Sequence, residues 1–246
     1  GKAVDLVSEK TSINLSLLWF VIGAYALARL GQVFFDEAKE FVFARVAQRA
    51  VRGASLKAFN NDLFVCGVDE AGRGCLAGPV TAAAVILPKN YKNKLIQDSK
   101  KLNTHNRMKL YDEITSIAID YSIIDIPNDI IDSINVLEST FLAMNKAISK
   151  IIRKADYIII DGNKFKTKSK FKYECVIRGD SIYQSIAAAS ILAKVHRDNL
   201  MIKFSEKYPE YSFEKNKGYG TKDHRKAISK YGLSNIHRKS FNLKPI

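Results

Sequence analysis

The pattern of hydrophobic and polar positions changes near residue 60. From Leu63 onward, short apolar runs alternate with stretches in which apolar residues recur at helical spacing. The apolar runs predict strands over residues 63–68, 80–88, 121–127, 155–162 and 173–177. Helices are predicted after Thr104, as the expected N-cap, and over residues 136–152 and 182–201. A hairpin of strands followed by strands between helices predicts an α/β domain with a mixed central sheet flanked by helices.

Residues 1–60 have a different style, rich in Ala, Val, Phe and Arg, and predict a helical extension before a domain at 61–246, with the boundary between Phe59 and Asp62. The apolar run from Leu15 to Ala28 has about 14 residues, fewer than the roughly 20 of a spanning helix. Membrane contact through residues 13–35 is therefore possible but not favoured. The stretch "FVFARVAQRAVRGASL" resembles part of an ABC exporter membrane domain; the favoured interpretation is an extension without a role in the chemistry.

The charge of the chain indicates its class of partner. There are 39 Lys and Arg residues against 25 Asp and Glu, a net charge of +14. Such an excess favours a polyanion, because each phosphate that is neutralised releases condensed counterions. A basic surface without a function is the alternative. The three cysteines are odd in number and lack metal-ligand spacing, which predicts reduced thiols in a cytoplasmic protein.

Four carboxylates stand at the ends of predicted elements: Asp69, Glu70, Asp161 and Asp180. An acid at the end of a buried strand is costly unless a partner neutralises it. Oxygen ligands favour hard cations such as Mg²⁺ or Mn²⁺, and two such ions can activate water for phosphodiester hydrolysis. Taken singly, Asp180 could instead cap a helix, Asp161 could form a turn, and Glu70 could be a solvated loop acid.

The neighbours Asp69 and Glu70 raise a geometric problem. Adjacent residues of a regular strand point to opposite faces, so these two acids can approach one pair of metals only if the strand is locally distorted. The expected source of that freedom is the set of glycines around them, namely Gly67, Gly72 and Gly74.

The stretch "GVDEAGRGCLAGPV" resembles the ribonuclease HII family. Four further motifs follow in that family's order: "DSKKL", "IIDG", "RGDSIYQSIAAASILAKVHRD" and "NKGYGTKDH". The resemblance spans residues 62–241, including "HRKSF". It implies a ribonuclease H-like fold with a helical C-terminal part. It also implies cleavage of RNA in RNA–DNA hybrids, or 5′ to ribonucleotides embedded in duplex DNA, with 3′-hydroxyl and 5′-phosphate ends.

The resemblance also assigns residues. Asp69, Glu70, Asp161 and Asp180 correspond to the metal-binding catalytic acids. Gly72, Arg73 and Gly74 correspond to an element that meets the ribose 2′-hydroxyl and its phosphates, and Tyr219 to a tyrosine that stacks on the following sugar. Contacts with backbone phosphate are expected for Ser99, Lys100, Lys194, His196 and Arg197, with a solvated basic rim as the alternative. His196 receives no catalytic role.

Three alternatives remain open at this stage. The related ribonuclease HIII family shares the fold but departs from the Gly-Arg-Gly triplet and carries a different N-terminal domain. A non-catalytic nucleic-acid-binding module would have degenerate acids, whereas all four are present here. A membrane-tethered relative would use the N-terminal apolar run. We expect a monomer without an organic cofactor, and the C-terminal "NLKPI" shows no convincing clamp-binding pattern.

Overall fold

The computed structural model describes residues 19, 22–32, 35, 39, 63–89, 91–96 and 102–243. The chain divides into two units, Gly1–Asn60 and Asn61–Ile246. In the first unit, residues 22–32 form helix α1, with residues 19, 35 and 39 also helical. Its large apolar side chains are exposed, including Trp19, Tyr25 and Leu27. Among the described residues, no helix has the length and apolar character needed to cross a membrane.

The second unit is built on one mixed sheet of five strands. These are β1 (Val65–Ala71), β2 (Val80–Ile86), β3 (Asp120–Ile126), β4 (Tyr157–Asp161) and β5 (Tyr173–Val176), in the spatial order β3-β2-β1-β4-β5. β2 pairs antiparallel with both β1 and β3, whereas β4 pairs parallel with both β1 and β5. The predicted hairpin followed by strands between helices is therefore confirmed, and the parallel pair β1–β4 brings two carboxyl ends to one edge.

Helices cover both faces of this sheet. The α-helices in the described part of this unit are α2 (Thr104–Ile117), α3 (Asn128–Ile134), α4 (Val136–Ile151), α5 (Gln184–Lys207), α6 (Phe213–Asn216) and α7 (Lys222–Tyr231). α4 packs on one face, and α2 and α5 pack on the other. Small residues let α5 approach closely: a Cβ added at Gly67 would lie 2.1 Å from the backbone carbon of Ser185. The helix therefore packs almost directly on the backbone of β1.

One predicted boundary is wrong by a residue. The N-cap of α2 is Asn103, whose side chain accepts a hydrogen bond from the Asn106 backbone N–H at 2.8 Å. Thr104 is the first residue of the helix itself. Both residue types can cap a helix, so local preference alone does not select between neighbours.

The C-terminal part is helical, as predicted, and it packs against the loop that follows β1 and is hydrogen-bonded to it. Its core joins that loop to α5 and the C-terminal helices through Leu76, Ala77, Met201, Tyr211, Phe213, Ile228 and Ile236. Gly218 accepts hydrogen bonds from the backbone N–H groups of Leu76 and Ala77 at 2.7 and 3.3 Å. The loop beside the candidate acids is thus fixed by residues that lie far along the chain.

Candidate active site

Two of the predicted acids lie side by side on neighbouring parallel strands. Val68 of β1 is paired with Ile160 of β4, so Asp69 and Asp161 follow at the same level. Val68 and Ile160 belong to the core under α4, and side chains alternate along a strand, so both aspartates are on the α5 face. This edge of the sheet therefore carries two carboxylates on one face.

Asp180 is the next acid, and a backbone hydrogen bond from its neighbour Gly179 connects its turn to Asp161. The Gly179 N–H donates a hydrogen bond to Asp161 Oδ1 at 2.6 Å, and Asp180 is the next residue. Asp180 is buried in a single 3₁₀ turn, Gly179–Ser181, whereas α5 begins at Gln184 with Tyr183 as its N-cap. The alternative that Asp180 caps the helix is wrong.

A strained backbone conformation produces this turn. Arg178 has a φ of 56°, in the left-handed region that residues other than glycine seldom adopt. Its carbonyl accepts from the Ser181 N–H at 3.1 Å, which closes the turn that presents the Gly179 N–H to Asp161. The turn thereby holds Asp180 directly after the residue that is hydrogen-bonded to Asp161.

Glu70 occupies the other side of β1. The strand stays in register with β2 through Ala71, so the distortion considered for Asp69 and Glu70 is absent from the strand itself. The Glu70 side chain is 15% exposed, and its Oε1 lies 3.2 Å from Arg73 Nη1. It is therefore neither a loop acid nor freely solvated. Strand alternation therefore places Asp69 and Asp161 on one face of the sheet edge and Glu70 on the opposite face.

The environment of Asp69 disfavours its charge. The residue is only 5% exposed, and burial raises the pKa of its carboxyl well above the ordinary value. The nearby charges of Glu70 and Asp161 raise this pKa further, whereas hydrogen bonds from the Ser190 side chain and the Glu70 N–H oppose the rise. A cation at this edge would remove both the repulsion and the burial penalty.

The donor chemistry fits a hard divalent cation, because every candidate ligand is a carboxylate. In the described part of the chain, however, no three His, Cys, Asp or Glu side chains are arranged to hold a metal ion together. Their oxygens have other partners: Asp69 Oδ1 accepts from the Glu70 N–H, Asp161 Oδ1 from the Gly179 N–H, and Glu70 faces Arg73. These hydrogen bonds do not exclude a cation, because an ionised carboxylate offers about four lone-pair sites.

The predicted Gly-Arg-Gly element follows β1 as a tight loop. Gly72 has a φ of +91°, and a Cβ added there would lie 2.1 Å from Arg197 Nε, so only glycine fits. The Arg73 side chain is about half exposed beside Glu70. The loop therefore presents bare backbone and one guanidinium next to the acids.

Arg197 does not have its predicted role. Its guanidinium is buried and donates to the carbonyl oxygens of Pro79, Lys217 and Ala77 at 2.9, 2.8 and 3.0 Å. The expectation that it contacts phosphate is wrong, because all of its donor groups face the protein interior. It holds the loop after β1 against the C-terminal part.

A second buried arginine, Arg238, was not predicted from the sequence. It donates to the carbonyl oxygens of Gly78, Arg73 and Pro79 at 3.0, 2.9 and 2.9 Å. Burial lowers its pKa from 12.5 to about 10. Arginine is normally a surface residue, so composition alone would not have placed it here. The one available signal was its position in the closing "HRKSF" motif.

Tyr219 lies beside this loop and is 42% exposed. Its hydroxyl and the Cys75 thiol are hydrogen-bonded, and burial raises the pKa of Tyr219. Lys194 Nζ is 5.8 Å from the Tyr219 ring centroid and 2.6 Å from Asp198 Oδ1. The exposed ring thus stands between the Gly-Arg-Gly loop and a lysine.

A buried pair of histidines, His224 and His237, is hydrogen-bonded to the backbone of Tyr219. His224 Nδ1 lies 2.8 Å from the Tyr219 carbonyl oxygen, so it donates there. His237 Nδ1 accepts from the Ser234 N–H at 2.9 Å, and the two Nε2 atoms are 3.0 Å apart. His237 Nε2 must therefore donate to His224 Nε2, which makes both rings neutral. Burial lowers both pKa values, that of His237 to about 4.

Of the other residues predicted to contact phosphate, the structure describes His196 but not Ser99 or Lys100. His196 Nε2 lies 2.7 Å from Asp125 Oδ2, and this hydrogen bond raises the pKa of His196. Ser99 and Lys100 lie outside the described residues.

All three cysteines are free, and burial raises the pKa of each thiol.

Comparison with known proteins identifies the family. A model of the family described as Ribonuclease HII matches residues 66–244. The chain belongs to the ribonuclease HII family. The ribonuclease HII of Christiangramia forsetii is 53% identical over 190 residues, which cover 77% of this chain and 96% of that relative.

Solved structures agree on the fold. The ribonuclease HII of Archaeoglobus fulgidus, solved in a complex with PCNA, is similar with a TM-score of 0.63 and 22% identity, covering 75% of this chain and 98% of that chain. Bst-RNase HIII, solved in complex with Mn²⁺, is similar with a TM-score of 0.60 and 19% identity, covering 74% of this chain and 68% of that chain. The predicted ribonuclease H-like fold is confirmed.

Family membership decides between the alternatives. The chain is a ribonuclease HII enzyme, which cleaves RNA in RNA–DNA hybrids, and the non-catalytic alternative is wrong. The family model that matches residues 66–244 is that of ribonuclease HII. Use of divalent metal is consistent with the family.

Proposed function

We propose that this enzyme hydrolyses the phosphodiester 5′ to a ribonucleotide, both in RNA–DNA hybrids and at ribonucleotides embedded in duplex DNA, and leaves 3′-hydroxyl and 5′-phosphate ends. The observation that carries the proposal is the position of Asp69 beside Asp161 on one face of the sheet edge, directly before the Gly-Arg-Gly loop. In this arrangement, the acids that would hold the metals are followed directly by the loop whose bare backbone can contact a ribose.

The four acids divide the work in this proposal. Asp69, Glu70 and Asp161 bind the metal ions, and Asp180 completes the site from its 3₁₀ turn. Mg²⁺ or Mn²⁺ bound there would activate the attacking water and stabilise the leaving oxygen. The raised pKa of Asp69 supports the assignment, because the same crowding that disfavours its charge makes a cation favourable. Release of Glu70 from Arg73 would let both residues turn toward the substrate.

Substrate selection is assigned to the loop and to Tyr219. The backbone of Gly72 and Gly74 can approach a ribose closely, and the 2′-hydroxyl is the group that separates RNA from DNA. Arg73 offers a planar guanidinium that suits phosphate. The exposed Tyr219 ring is the surface on which the next sugar would stack. The buried Arg197 and Arg238 hold the loop in place for this task.

The test uses a DNA duplex that contains one ribonucleotide, with the full chain and either Mg²⁺ or Mn²⁺. We expect a single nick on the 5′ side of the ribonucleotide and a 5′-phosphate on the downstream fragment. An all-DNA duplex is the control for specificity, and a chelator is the control for metal. Cleavage on the 3′ side, or equal cleavage of the all-DNA duplex, would contradict the proposal.

A second experiment tests the metal directly. Calorimetric titration of Mg²⁺ or Mn²⁺ into the protein without substrate should show binding that Asp69→Asn removes. Asp112→Asn, which changes an exposed acid of α2, is the matched control and should bind metal as the wild type does. Equal binding by all three proteins would place the metals elsewhere. The predicted monomer and cytoplasmic location stay predictions.

A further inference from the structure

The segment that joins β4 to β5 carries a regular row of charges. Residues 163–172, here called the lysine arm, read "NKFKTKSKFK". Lysine occupies every second position and no acid interrupts the row, so the arm contributes five positive charges: Lys164, Lys166, Lys168, Lys170 and Lys172. A lysine-rich loop was visible in the sequence, but the catalytic site does not use it.

Aromatic side chains between the lysines fasten the arm to the domain. The Phe165 ring packs edge-on against Phe141 of α4 and against Tyr173 of β5, with centroids 6.0 and 5.2 Å apart. Phe171 stacks with Phe165 at 6.4 Å. Asn145 Nδ2 also donates to the Lys166 carbonyl oxygen at 2.8 Å. The inward aromatics leave all five lysines exposed on the outer side.

The arm begins at the sheet edge that carries the acids and then packs on the α4 face, opposite to the face of the Asp161 side chain. It starts two residues after Asp161, and Lys166 Nζ lies 3.3 Å from Glu138 Oε1 in the first turn of α4. Because β4 and β5 are parallel, the arm must return along the sheet until Tyr173 pairs with Ile158. At roughly 3.3 Å per residue, this return covers about 13 to 17 Å, the axial rise of about four to five phosphates of one strand.

We propose that the lysine arm binds backbone phosphates of the substrate duplex beyond the cleaved bond, on the side of β5. The inference rests on the proposed function, because it takes the duplex to lie over Asp161. Compact lysine charges on flexible stems suit phosphate contacts that carry no sequence preference. The contact of Lys166 with Glu138 leaves its side chain 73% exposed, so it too can reach phosphate.

The test compares two variants with equal loss of charge. The arm variant is Lys164→Gln, Lys168→Gln, Lys170→Gln; the control variant is Lys94→Gln, Lys109→Gln, Lys203→Gln, also at exposed lysines. Binding to a one-ribonucleotide duplex is measured at increasing salt, with a chelator to prevent cleavage. One duplex extends well past the ribonucleotide on both sides, and a second is truncated close to it. Thermal unfolding checks that each variant is folded.

On the long duplex, the arm variant should reduce the slope of log affinity against log salt by about 0.9 for each phosphate that the arm no longer neutralises. The control variant should keep the wild-type slope, and the arm variant should differ little from wild type on the truncated duplex. Equal reduction by both variants, which indicates only net charge, would overturn the proposal. So would an unchanged slope, as expected for a solvated surface or for a site that takes an acidic protein.

The same long duplex separates this inference from the proposed function. Wild-type protein is given Mg²⁺ or Mn²⁺ in parallel, and the position of the nick is mapped. Absence of a nick at the ribonucleotide would refute the proposed function, whereas the salt slopes would still show whether the arm contacts the duplex. A normal nick with identical slopes for the wild type and the arm variant would refute only the arm.

Discussion

The acid edge and the loop beside it are built on opposite principles. At the acid edge, meaning Asp69, Glu70, Asp161 and Asp180, like charges crowd together and burial disfavours the charge of Asp69. In the loop support, meaning Arg197 and Arg238, each guanidinium donates to three backbone carbonyl oxygens. The acid edge is electrostatically unfavourable until a cation binds, whereas the arginines of the loop support have their hydrogen-bond partners within the protein.

This difference predicts how substitutions in each region divide between activity and stability. Removing a charge from the acid edge should cost activity but relieve repulsion. Removing a charge from the loop support should cost stability, because buried carbonyl groups lose their partners. A buried charge therefore destabilises the folded protein where its partner is a cation still to be bound, as at the acid edge. It stabilises the folded protein where its partners are the protein's own carbonyl groups, as in the loop support.

The largest effect is expected for Asp69→Asn. Loss of the metal ligand that we propose should reduce cleavage of the one-ribonucleotide duplex by at least about a thousandfold, about 4 kcal/mol of transition-state stabilisation. The free energy of unfolding without metal should stay the same or rise, because the repulsion from Glu70 and Asp161 is weaker. Single-turnover cleavage and urea unfolding measure the two quantities. A destabilised variant, or one that cuts normally, would break the comparison.

Arg238→Met is the matching change in the loop support. It leaves the carbonyl groups of Gly78, Arg73 and Pro79 without this donor, and we expect a loss of about 3 kcal/mol or more in the free energy of unfolding. Arg73→Met is the control, because the Arg73 guanidinium is half exposed and its ion pair should contribute less than about 1 kcal/mol. Equal stability of the two variants in urea would contradict the role of Arg238.

The acid edge and the buried histidine pair, His224 and His237, should also respond to acid with opposite signs. The folded-state pKa of Asp69 is raised, so as pH falls toward 3.8 the folded state takes up this proton first and gains stability. The pKa of His237 falls from 6.5 to about 4, so between these values the unfolded state binds the proton and stability is lost. Each group contributes at most about 1.4 kcal/mol per pH unit.

Urea unfolding between pH 7 and pH 4.5 tests these signs. Compared with wild type, Asp69→Asn should lose stability more steeply on acidification, because the compensating uptake by Asp69 is gone. His237→Asn should lose it less steeply, since no imidazole remains there to be protonated in the unfolded state. The slopes carry the test even if either variant is less stable at pH 7. Parallel slopes for all three proteins would remove both assignments.

The sequence predicted the acid edge better than the loop support, for a physical reason. Strand periodicity is local, so it showed that Asp69 and Glu70 point to opposite faces of a regular strand; the bend expected from Gly67, Gly72 and Gly74 is absent, because β1 stays in register with β2. The role of Arg238 depends on Arg73, which lies 165 residues earlier. No local pattern encodes such a contact, and arginine is expected at the surface. The same reason explains why Arg197 was assigned to phosphate and the histidine pair was missed.

The smallest effects are expected at Tyr219, which follows Gly218, the residue hydrogen-bonded to the loop after β1. If its ring stacks on a sugar, Tyr219→Ala should lower kcat/KM about tenfold, since aromatic stacking in nucleic-acid binding contributes about 1 to 3 kcal/mol. Tyr219→Phe keeps the ring and loses only the hydroxyl that meets Cys75, so we expect a change of less than about threefold. Steady-state cleavage of the one-ribonucleotide duplex measures both. Equal losses would assign the effect to the hydroxyl and to the position of the Cys75 loop, and would take the ring out of substrate binding.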